Sequence, residues 1–303
     1  MEQPHKSGYV AVAGRPNVGK SSIMNAFLGQ KLAAVSQRPQ MTRRRQLGIL
    51  TLPGAQVIFV DTPGIHKPVH KLGQFLVEEA FEALDDADVI LMVVDATQAP
   101  NDEDRLVAAH LLEMKRLPPV ILALNKADRI SQPQLVAALE AYLALIPQAF
   151  PLAVSALTGF QRDVLLDEIL KRLPEGPQFY DPEQITDLYE REIAADLIRE
   201  AAMANLRDEV PHSVAVRIDE FNERNPETAH IVASLYVERD SQKGILIGSK
   251  GEMLKKIGTM ARKEIESMSG RHVFLELFVK VRKNWRDDPD ALQFWGYVHE
   301  KEE

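Results

Sequence analysis

A stretch near the start of the chain has the residue types and spacing of a phosphate-binding loop. Gly14, Gly19, Lys20 and Ser21 form the pattern G-x-x-x-x-G-K-S between a strand-like apolar run and a helix-like segment, the context that such a loop requires. Backbone N–H groups of the turn would converge on phosphate, with Lys20 reaching the β- and γ-phosphates and Ser21 holding Mg²⁺. The predicted nucleotide-binding residues of this loop are Gly14, Arg15, Pro16, Asn17, Val18, Gly19, Lys20, Ser21 and Ser22.

A second motif, Asp61-Thr62-Pro63-Gly64, follows the strand-like residues 56–60. An Asp at the end of a strand beside a phosphate loop is placed to hold Mg²⁺ through water. Gly64 would let its backbone N–H approach the γ-phosphate. The alternative is an ordinary turn, because these residue types also favour turns. The order of strand, Asp and phosphate loop favours a nucleotide site, with all four residues as predicted contacts.

A third motif, Asn125-Lys126-Ala127-Asp128, follows the apolar residues 120–124. Guanine has two adjacent N–H donors, and the Asp128 carboxylate can accept a hydrogen bond from each of them. Adenine would leave that carboxylate unpaired, so such a site can discriminate by a factor on the order of 10⁴. The aliphatic stem of Lys126 can cover the base. The motif therefore predicts a guanine nucleotide.

Ser155, Ala156 and Leu157 follow the last predicted strand of this half, residues 150–154. The triplet indicates a nucleotide site only because it follows that strand. In this position the backbone N–H groups of Ser155 and Ala156 would face guanine O6.

Strands and helices alternate through residues 1–176, which predicts a doubly wound α/β P-loop domain with ligand loops at the strand carboxyl ends. Residues 47–52 and 56–60 are joined only by Pro53-Gly54, so the mostly parallel sheet is expected to have one antiparallel edge. A Pro- and Gly-containing linker at 174–180 separates this domain from a second one, residues 177–303. Asp181-Pro182-Glu183 is predicted to begin the first helix of the second domain.

The second half is predicted to contain helix, strand, strand, helix, helix and strand, with Gly248-Ser249-Lys250-Gly251 between the last two helices. This arrangement resembles an α+β type II KH domain, whose loop clamps about four single-stranded nucleotides. Any single lysine near it could equally belong to a solvated helix face. The predicted RNA contacts are Lys243, Gly248, Ser249, Lys250, Gly251, Lys255, Lys256 and Arg262. Near the end, Phe294, Trp295 and Tyr297 indicate either a capping helix or a partner surface.

Composition bounds these interpretations. The 303 residues suit two domains, and a net charge of −8 argues against wholesale polyanion binding without excluding a local basic face. The absence of cysteine excludes disulfides and thiolate metal sites. The polar first residues carry no signal peptide, so we expect a cytoplasmic protein.

The loop motifs, in the order GRPNVGKS, Thr42, DTPG, NKAD and SAL, resemble those of the small GTPases of translation and ribosome assembly. GRPNVGKSS together with VDTPGIHKP resembles the Era family. The resemblance implies that Thr42 joins Ser21 and Asp61 as Mg²⁺ ligands, and that residues 31–48 and 62–80 are switch segments. It also implies the 3′ end of small-subunit ribosomal RNA and the small subunit as partners, a monomer, and peripheral contact with the inner face of the cell membrane.

Hydrolysis is expected to be slow because Ile65 occupies the place where Ras-like enzymes have a water-orienting Gln. By resemblance, Asn17 could hold a K⁺ ion that stabilises the transition state. The predicted catalytic residues are Asn17, Lys20, Thr42 and Gly64. The rival hypothesis is an RNA-binding assembly factor with GTP as a structural ligand and negligible turnover, which Ile65 favours.

Overall fold

The structure, a computed structural model, describes residues 4–34 and 41–297. No helix within those residues is long and apolar enough to cross a membrane. The chain forms two compact units, which divide between Asp187 and Leu188; Val69–Phe75 groups with the second unit.

The first unit contains a six-stranded sheet in the order β2-β3-β1-β4-β5-β6. Only β2 is antiparallel to its neighbour, and the other pairs are parallel. This confirms the predicted mostly parallel sheet with one antiparallel edge. The elements are β1 (Lys6–Ala13), α1 (Lys20–Leu28), β2 (Gln46–Leu52), β3 (Ala55–Asp61), α2 (Lys71–Asp85), β4 (Val89–Asp95), α3 (Asp102–Glu113), β5 (Val120–Asn125), α4 (Gln132–Leu143), β6 (Phe150–Ala153) and α5 (Arg162–Arg172). Helix α2 belongs to this unit from Leu76 onward.

Burial explains why these apolar runs form central strands. Every residue of β3, β4 and β5 is buried, as expected for parallel strands covered on both faces. Met92 and Leu122 belong to the core on one side of the sheet, while Leu91 and Ile121 belong to the core on the other. The polar residues that end these strands are thereby held at one edge of a rigid sheet.

The segment after α5 is not a free linker. The Gln56 side-chain oxygen accepts hydrogen bonds from the N–H groups of Phe179 (2.9 Å) and Tyr180 (3.0 Å). Further along, the N–H of Ile49 in β2 donates to the Ile185 carbonyl at 2.9 Å. The predicted helix start at residues 181–183 is therefore wrong. Asp181 instead accepts from the Glu183 N–H in a turn, after which the chain extends along the sheet edge.

The second unit has a three-stranded sheet in the order β7-β8-β9. Strands β7 and β8 are antiparallel, and β8 and β9 are parallel. In β8, alternate residues from Ala229 to Val237 are buried, so one face of the sheet carries the core. The order of elements confirms the KH prediction: α6 (Glu190–Asn205), β7 (Ala215–Asn225), β8 (Thr228–Val237), α7 (Asp240–Ile247), α8 (Glu252–Ser269), β9 (His272–Val281) and α9 (Pro289–Phe294).

The aromatic residues near the end of the described chain form part of this core. Trp285 is fully buried, and its indole N–H donates to the Ser213 carbonyl at 2.8 Å. Trp295 packs against Trp285 with ring centroids 5.0 Å apart, and Tyr297 is also buried. Of the two alternatives from the sequence, the structure agrees with the capping helix, because a short helix (Pro289–Phe294) is present and Trp295 and Tyr297, which follow it, are buried. Phe294 remains 44% exposed.

Candidate functional site: a nucleotide pocket and an RNA groove

The phosphate-binding loop joins β1 to α1 and needs glycine at two positions. Gly14 has φ +144°, and an added Cβ would lie 2.2 Å from the Val93 carbonyl oxygen. Gly19 has φ +103°, and an added Cβ would lie 2.2 Å from the Asn125 amide nitrogen. Both the backbone conformation and the space therefore exclude a side chain. The loop motif is thus fixed by its packing as well as by phosphate chemistry.

Lys20 begins α1 and turns back over this loop. Its ammonium donates to the carbonyls of Gly14 (3.1 Å) and Arg15 (3.2 Å). Burial lowers the pKa of Lys20 to about 8, an effect that the nearby Asp61 carboxylate partly offsets. A phosphate placed here would favour the charged ammonium, so the electrostatics suit an anionic ligand.

Three oxygen atoms meet beside Lys20. The Ser21 hydroxyl donates to Asp61 Oδ2 at 2.7 Å, and the Thr42 hydroxyl donates to the same oxygen at 3.2 Å. The two hydroxyl oxygens are 3.3 Å apart. Hydroxyl and carboxylate oxygens are the ligand atoms that Mg²⁺ prefers. The predicted metal ligands are therefore close together and are of the type that suits this ion. Residues 35–40 of the first predicted switch segment lie outside the described residues.

The Asp61–Gly64 turn lies directly on the phosphate-binding loop. The Thr62 hydroxyl donates to the Val12 carbonyl at 2.9 Å. An added Cβ on Gly64 would lie 2.9 Å from both the nitrogen and the Cα of Pro16. The N–H of Ile65 donates to the Gly14 carbonyl at 3.3 Å, and the Ile65 side chain is fully buried in the core beside β4. Ile65 therefore cannot reach a water molecule at the phosphates.

The segment predicted to read guanine follows β5 and is hydrogen-bonded to the phosphate-binding loop. The Asn125 amide donates to the Val18 carbonyl at 2.7 Å, and its oxygen accepts from the Ala156 N–H at 3.0 Å. The Lys126 ammonium donates to the Asn17 carbonyl at 2.9 Å. The base-reading loops and the phosphate loop therefore form one structure. Asp128 lies in the same turn, 4.0 Å from Arg129.

Three of the predicted nucleotide contacts, Ser155, Ala156 and Arg15, have hydrogen-bond or ion-pair partners within the protein. The Ser155 N–H donates to the Phe160 carbonyl at 3.1 Å, and the Ala156 N–H donates to Asn125. Both N–H groups thus have protein acceptors, where the sequence predicted guanine O6. The Arg15 guanidinium turns away to Gln98 (2.8 Å) and Asp104 (3.2 Å), so only its backbone belongs to the phosphate loop.

Sequence reasoning missed the acidic residues that support the pocket. Asp104 is buried at the start of α3 and pairs with Arg15. Asp95 is buried at the end of β4 and pairs with Lys126 at 2.7 Å. One signal was available for Asp95, since it ends an otherwise apolar run, as Asp61 does.

In the second unit, the Gly248–Gly251 turn adjoins a groove between α8 and β9. Gly248, Lys250 and Gly251 all have positive φ, at 74°, 48° and 83°. The groove has a volume of about 440 Å³, and Gly251, Leu254, Lys255, Gly258, Thr259, Arg262, Leu275 and Leu277 line it.

Three predicted RNA contacts, Gly251, Lys255 and Arg262, therefore lie along this groove. Lys243 and Lys256 are not among the lining residues. Ile257 is fully buried, so it belongs to the core and not to the groove floor.

Comparison with known proteins agrees with the assignment of both halves of the chain. A family model of 50S ribosome-binding GTPases matches residues 9–126, and a KH-domain model matches residues 209–286. The fold and the site thus define a P-loop GTPase followed by a KH domain.

Relatives of full length identify the family. GTPase Era of Leuconostoc citreum is 47% identical over 302 residues, covering 99% of each chain. GTPase Era of Ruminiclostridium cellulolyticum is 44% identical over 297 residues, covering 98% of this chain and 99% of the relative. The chain belongs to the Era family of GTPases.

Two solved structures cover 97% of this chain and all of their own, at 40% identity. One is Era in complex with MgGDPNP and nucleotides 1506–1542 of 16S ribosomal RNA, with a TM-score of 0.92. The other is a point variant of Aquifex aeolicus Era bound to GDP and AlF₄⁻, with a TM-score of 0.91.

Proposed function

We propose that the protein binds GTP with Mg²⁺, hydrolyses it slowly to GDP and phosphate, and holds the 3′ end of small-subunit ribosomal RNA in its KH groove during small-subunit assembly. The observation that carries the proposal is the meeting of Lys20, the Ser21–Thr42–Asp61 oxygens and Asn125 around one glycine turn. A relative bound to MgGDPNP and 16S ribosomal RNA supports both ligands.

The residues divide the chemistry between them. Lys20 and the loop amides would stabilise charge on the phosphates. Ser21, Thr42 and Asp61 would hold Mg²⁺, which supplies further neutralisation of phosphate charge. Because Ile65 is buried in the core, water must be oriented by backbone or by another group, and basal turnover is expected to be slow.

Asn17 is the residue we propose for K⁺ binding. It has φ +64°, a conformation that glycine adopts freely, so Asn17→Gly removes the side chain without straining the loop. GTP hydrolysis should be faster in K⁺ than in Na⁺ buffer for the unmodified protein and equal in both for Asn17→Gly. Equal rates for the unmodified protein would exclude the ion.

Guanine recognition is tested at Asp128. Asp128→Asn should shift preference from GTP to xanthosine triphosphate, because the amide can donate to the C2 carbonyl of xanthine. The measurement is a pair of dissociation constants by isothermal titration calorimetry. Retained preference for GTP would show that Asp128 does not read the base.

RNA binding is tested best at Gly251. An added Cβ on Gly248 would lie 2.7 Å from that of Met253, whereas one on Gly251 meets nothing within 4 Å. Gly248→Asp would thus disturb packing as well as charge. Asp and Asn both tolerate positive φ, so Gly251→Asn is a matched neutral control for Gly251→Asp.

The carboxylate variant Gly251→Asp should bind a single-stranded RNA of the 16S 3′ end much more weakly than Gly251→Asn, with unchanged GDP affinity in both. Equal RNA affinities of the two variants would remove this turn from the phosphate path.

The rival function, an RNA-binding factor with GTP as a structural ligand, still rests on Ile65. Turnover measured with and without the RNA separates the two. A relative bound to GDP and AlF₄⁻ favours hydrolysis, whereas no turnover under either condition would leave the binding function alone. A cytoplasmic location, a monomeric state and contact with the inner face of the membrane stay predictions.

A further inference from the structure

Asp95 lies beside the base-reading segment without belonging to any nucleotide-binding motif. It ends β4, whose other residues are all apolar and buried. In the parallel pairing of β4 with β5, Asp95 is the register partner of Asn125. The sheet therefore places this carboxylate next to Lys126, the residue after Asn125, although the two are far apart in sequence.

The contacts of Asp95 fix it in one orientation. Oδ2 is 2.7 Å from the Lys126 ammonium. Oδ1 accepts from both the backbone N–H (3.0 Å) and the hydroxyl (2.6 Å) of Thr97. Burial raises the pKa of Asp95, but the bonds from Lys126 and Thr97 outweigh it and hold that pKa below its ordinary value. Asp95 is thus a charged carboxylate held within the strand end.

Lys126 is held between this carboxylate and the phosphate-binding loop. Its ammonium also donates to the Asn17 carbonyl at 2.9 Å. Both Lys126 and Asn17 have φ +64°, so the side chain ties together two residues in an uncommon backbone conformation. A free lysine side chain has four rotatable bonds and loses considerable conformational entropy when it is ordered. The contacts with Asp95 and the Asn17 carbonyl hold the Lys126 side chain in one position.

We propose that Asp95 is a positioning residue for guanine nucleotides, acting through Lys126. It fixes the aliphatic stem where it covers the base and holds the ammonium on the Asn17 carbonyl, without touching the nucleotide itself. This inference rests on the proposed guanine pocket.

The test is a double-mutant cycle on the full-length chain. Asp95→Asn keeps the size of the side chain and an oxygen for Thr97, but it presents an amide N–H₂ to the ammonium. The dissociation constants of GDP and GTP should each rise about tenfold, the size expected for one charge-assisted hydrogen bond. The two increases should be equal, because Lys126 lies on the base and not on the γ-phosphate.

Lys126→Met supplies the second arm of the cycle. In that background Asp95→Asn should change the GDP dissociation constant less than about twofold, because the partner of the carboxylate is already gone. Thr97→Val is the matched control: it removes one bond to Asp95 and leaves the Lys126 pair, so GDP affinity should stay within about threefold. If Asp95→Asn does not fold, Asp95→Ser is measured in the same two backgrounds.

Unchanged GDP affinity in folded Asp95→Asn would overturn the inference. So would an equal loss with and without Lys126, which is the behaviour of a merely structural residue. The proposed pocket fails separately, if the unmodified protein does not prefer GDP over ADP.

Discussion

Replacing Gly64 by alanine should move apart the two loops that we propose contact the phosphates. The added Cβ would lie 2.8 Å from Pro16 Cγ and 2.9 Å from both the Pro16 nitrogen and Cα. Ordinary contacts of this kind begin at 3.4 Å, so the turn must move away by about 0.5 Å (3.4 minus 2.9). Two of the three atoms are backbone, so a rotamer change in Pro16 cannot relieve the contact.

A shift of that size should weaken the proposed hydrogen bond from the Gly64 N–H to the γ-phosphate. Such a bond to a charged group contributes about 1.5–3 kcal/mol, or roughly 10- to 150-fold in affinity. GDP has no γ-phosphate, so its affinity should change little. The measurement is the ratio of GTP-analogue to GDP dissociation constants by calorimetry. Gly244→Ala is the control, because a Cβ there meets nothing within 4 Å. Equal losses for both nucleotides in Gly64→Ala would refute the assignment of Gly64 to the γ-phosphate.

Other predictions concern groups buried near the pocket. The pKa of Lys20 is about 8 in the folded protein, against 10.5 for an ordinary lysine. Between pH 8 and 10.5 the unfolded chain therefore binds more protons than the folded protein. The nucleotide-free protein should accordingly gain stability as the pH rises through this range. Urea unfolding should show this gain in the unmodified protein and not in Lys20→Met. Ile65→Gln should lower the free energy of unfolding by about 2–4 kcal/mol, since it buries an amide in apolar surroundings, and should not speed hydrolysis; a tenfold faster rate would contradict the placement of Ile65. Asn125→Ala leaves the Val18 carbonyl and the Ala156 N–H without this partner, so thermal unfolding should reveal a loss of about 2–4 kcal/mol.

The sequence was sufficient to place the phosphate-binding loop and Asp61 at the ends of strands, because glycine spacing and apolar runs are visible in neighbouring residues. Gly14 and Gly19 are required by positive φ, and Asp61 ends an apolar strand next to Ser21. The sequence was insufficient where tertiary contacts decide. Asp181-Pro182-Glu183 has every local feature of a helix start, yet β2 binds the chain beyond it at Ile185.

Asp95 illustrates the same limit at the site. Its partner Lys126 lies on the next strand, and only the register of β4 with β5 brings the two together. In the KH groove, helical periodicity could not separate Leu254, which lines the groove, from Ile257, which is fully buried. Both lie on the apolar side of α8, and their different roles depend on what packs above them.

The segment along β2 also bears on solubility. Strand β2 is the edge of the six-stranded sheet, and an open edge is a template for pairing with another chain. Here the N–H groups of Leu47 and Ile49 donate to Asp187 Oδ1 (3.0 Å) and to the Ile185 carbonyl (2.9 Å). A fragment that ends at Gly176 would leave the edge of β2 uncovered and should aggregate. A fragment that ends at Asp187 keeps the segment that covers this edge.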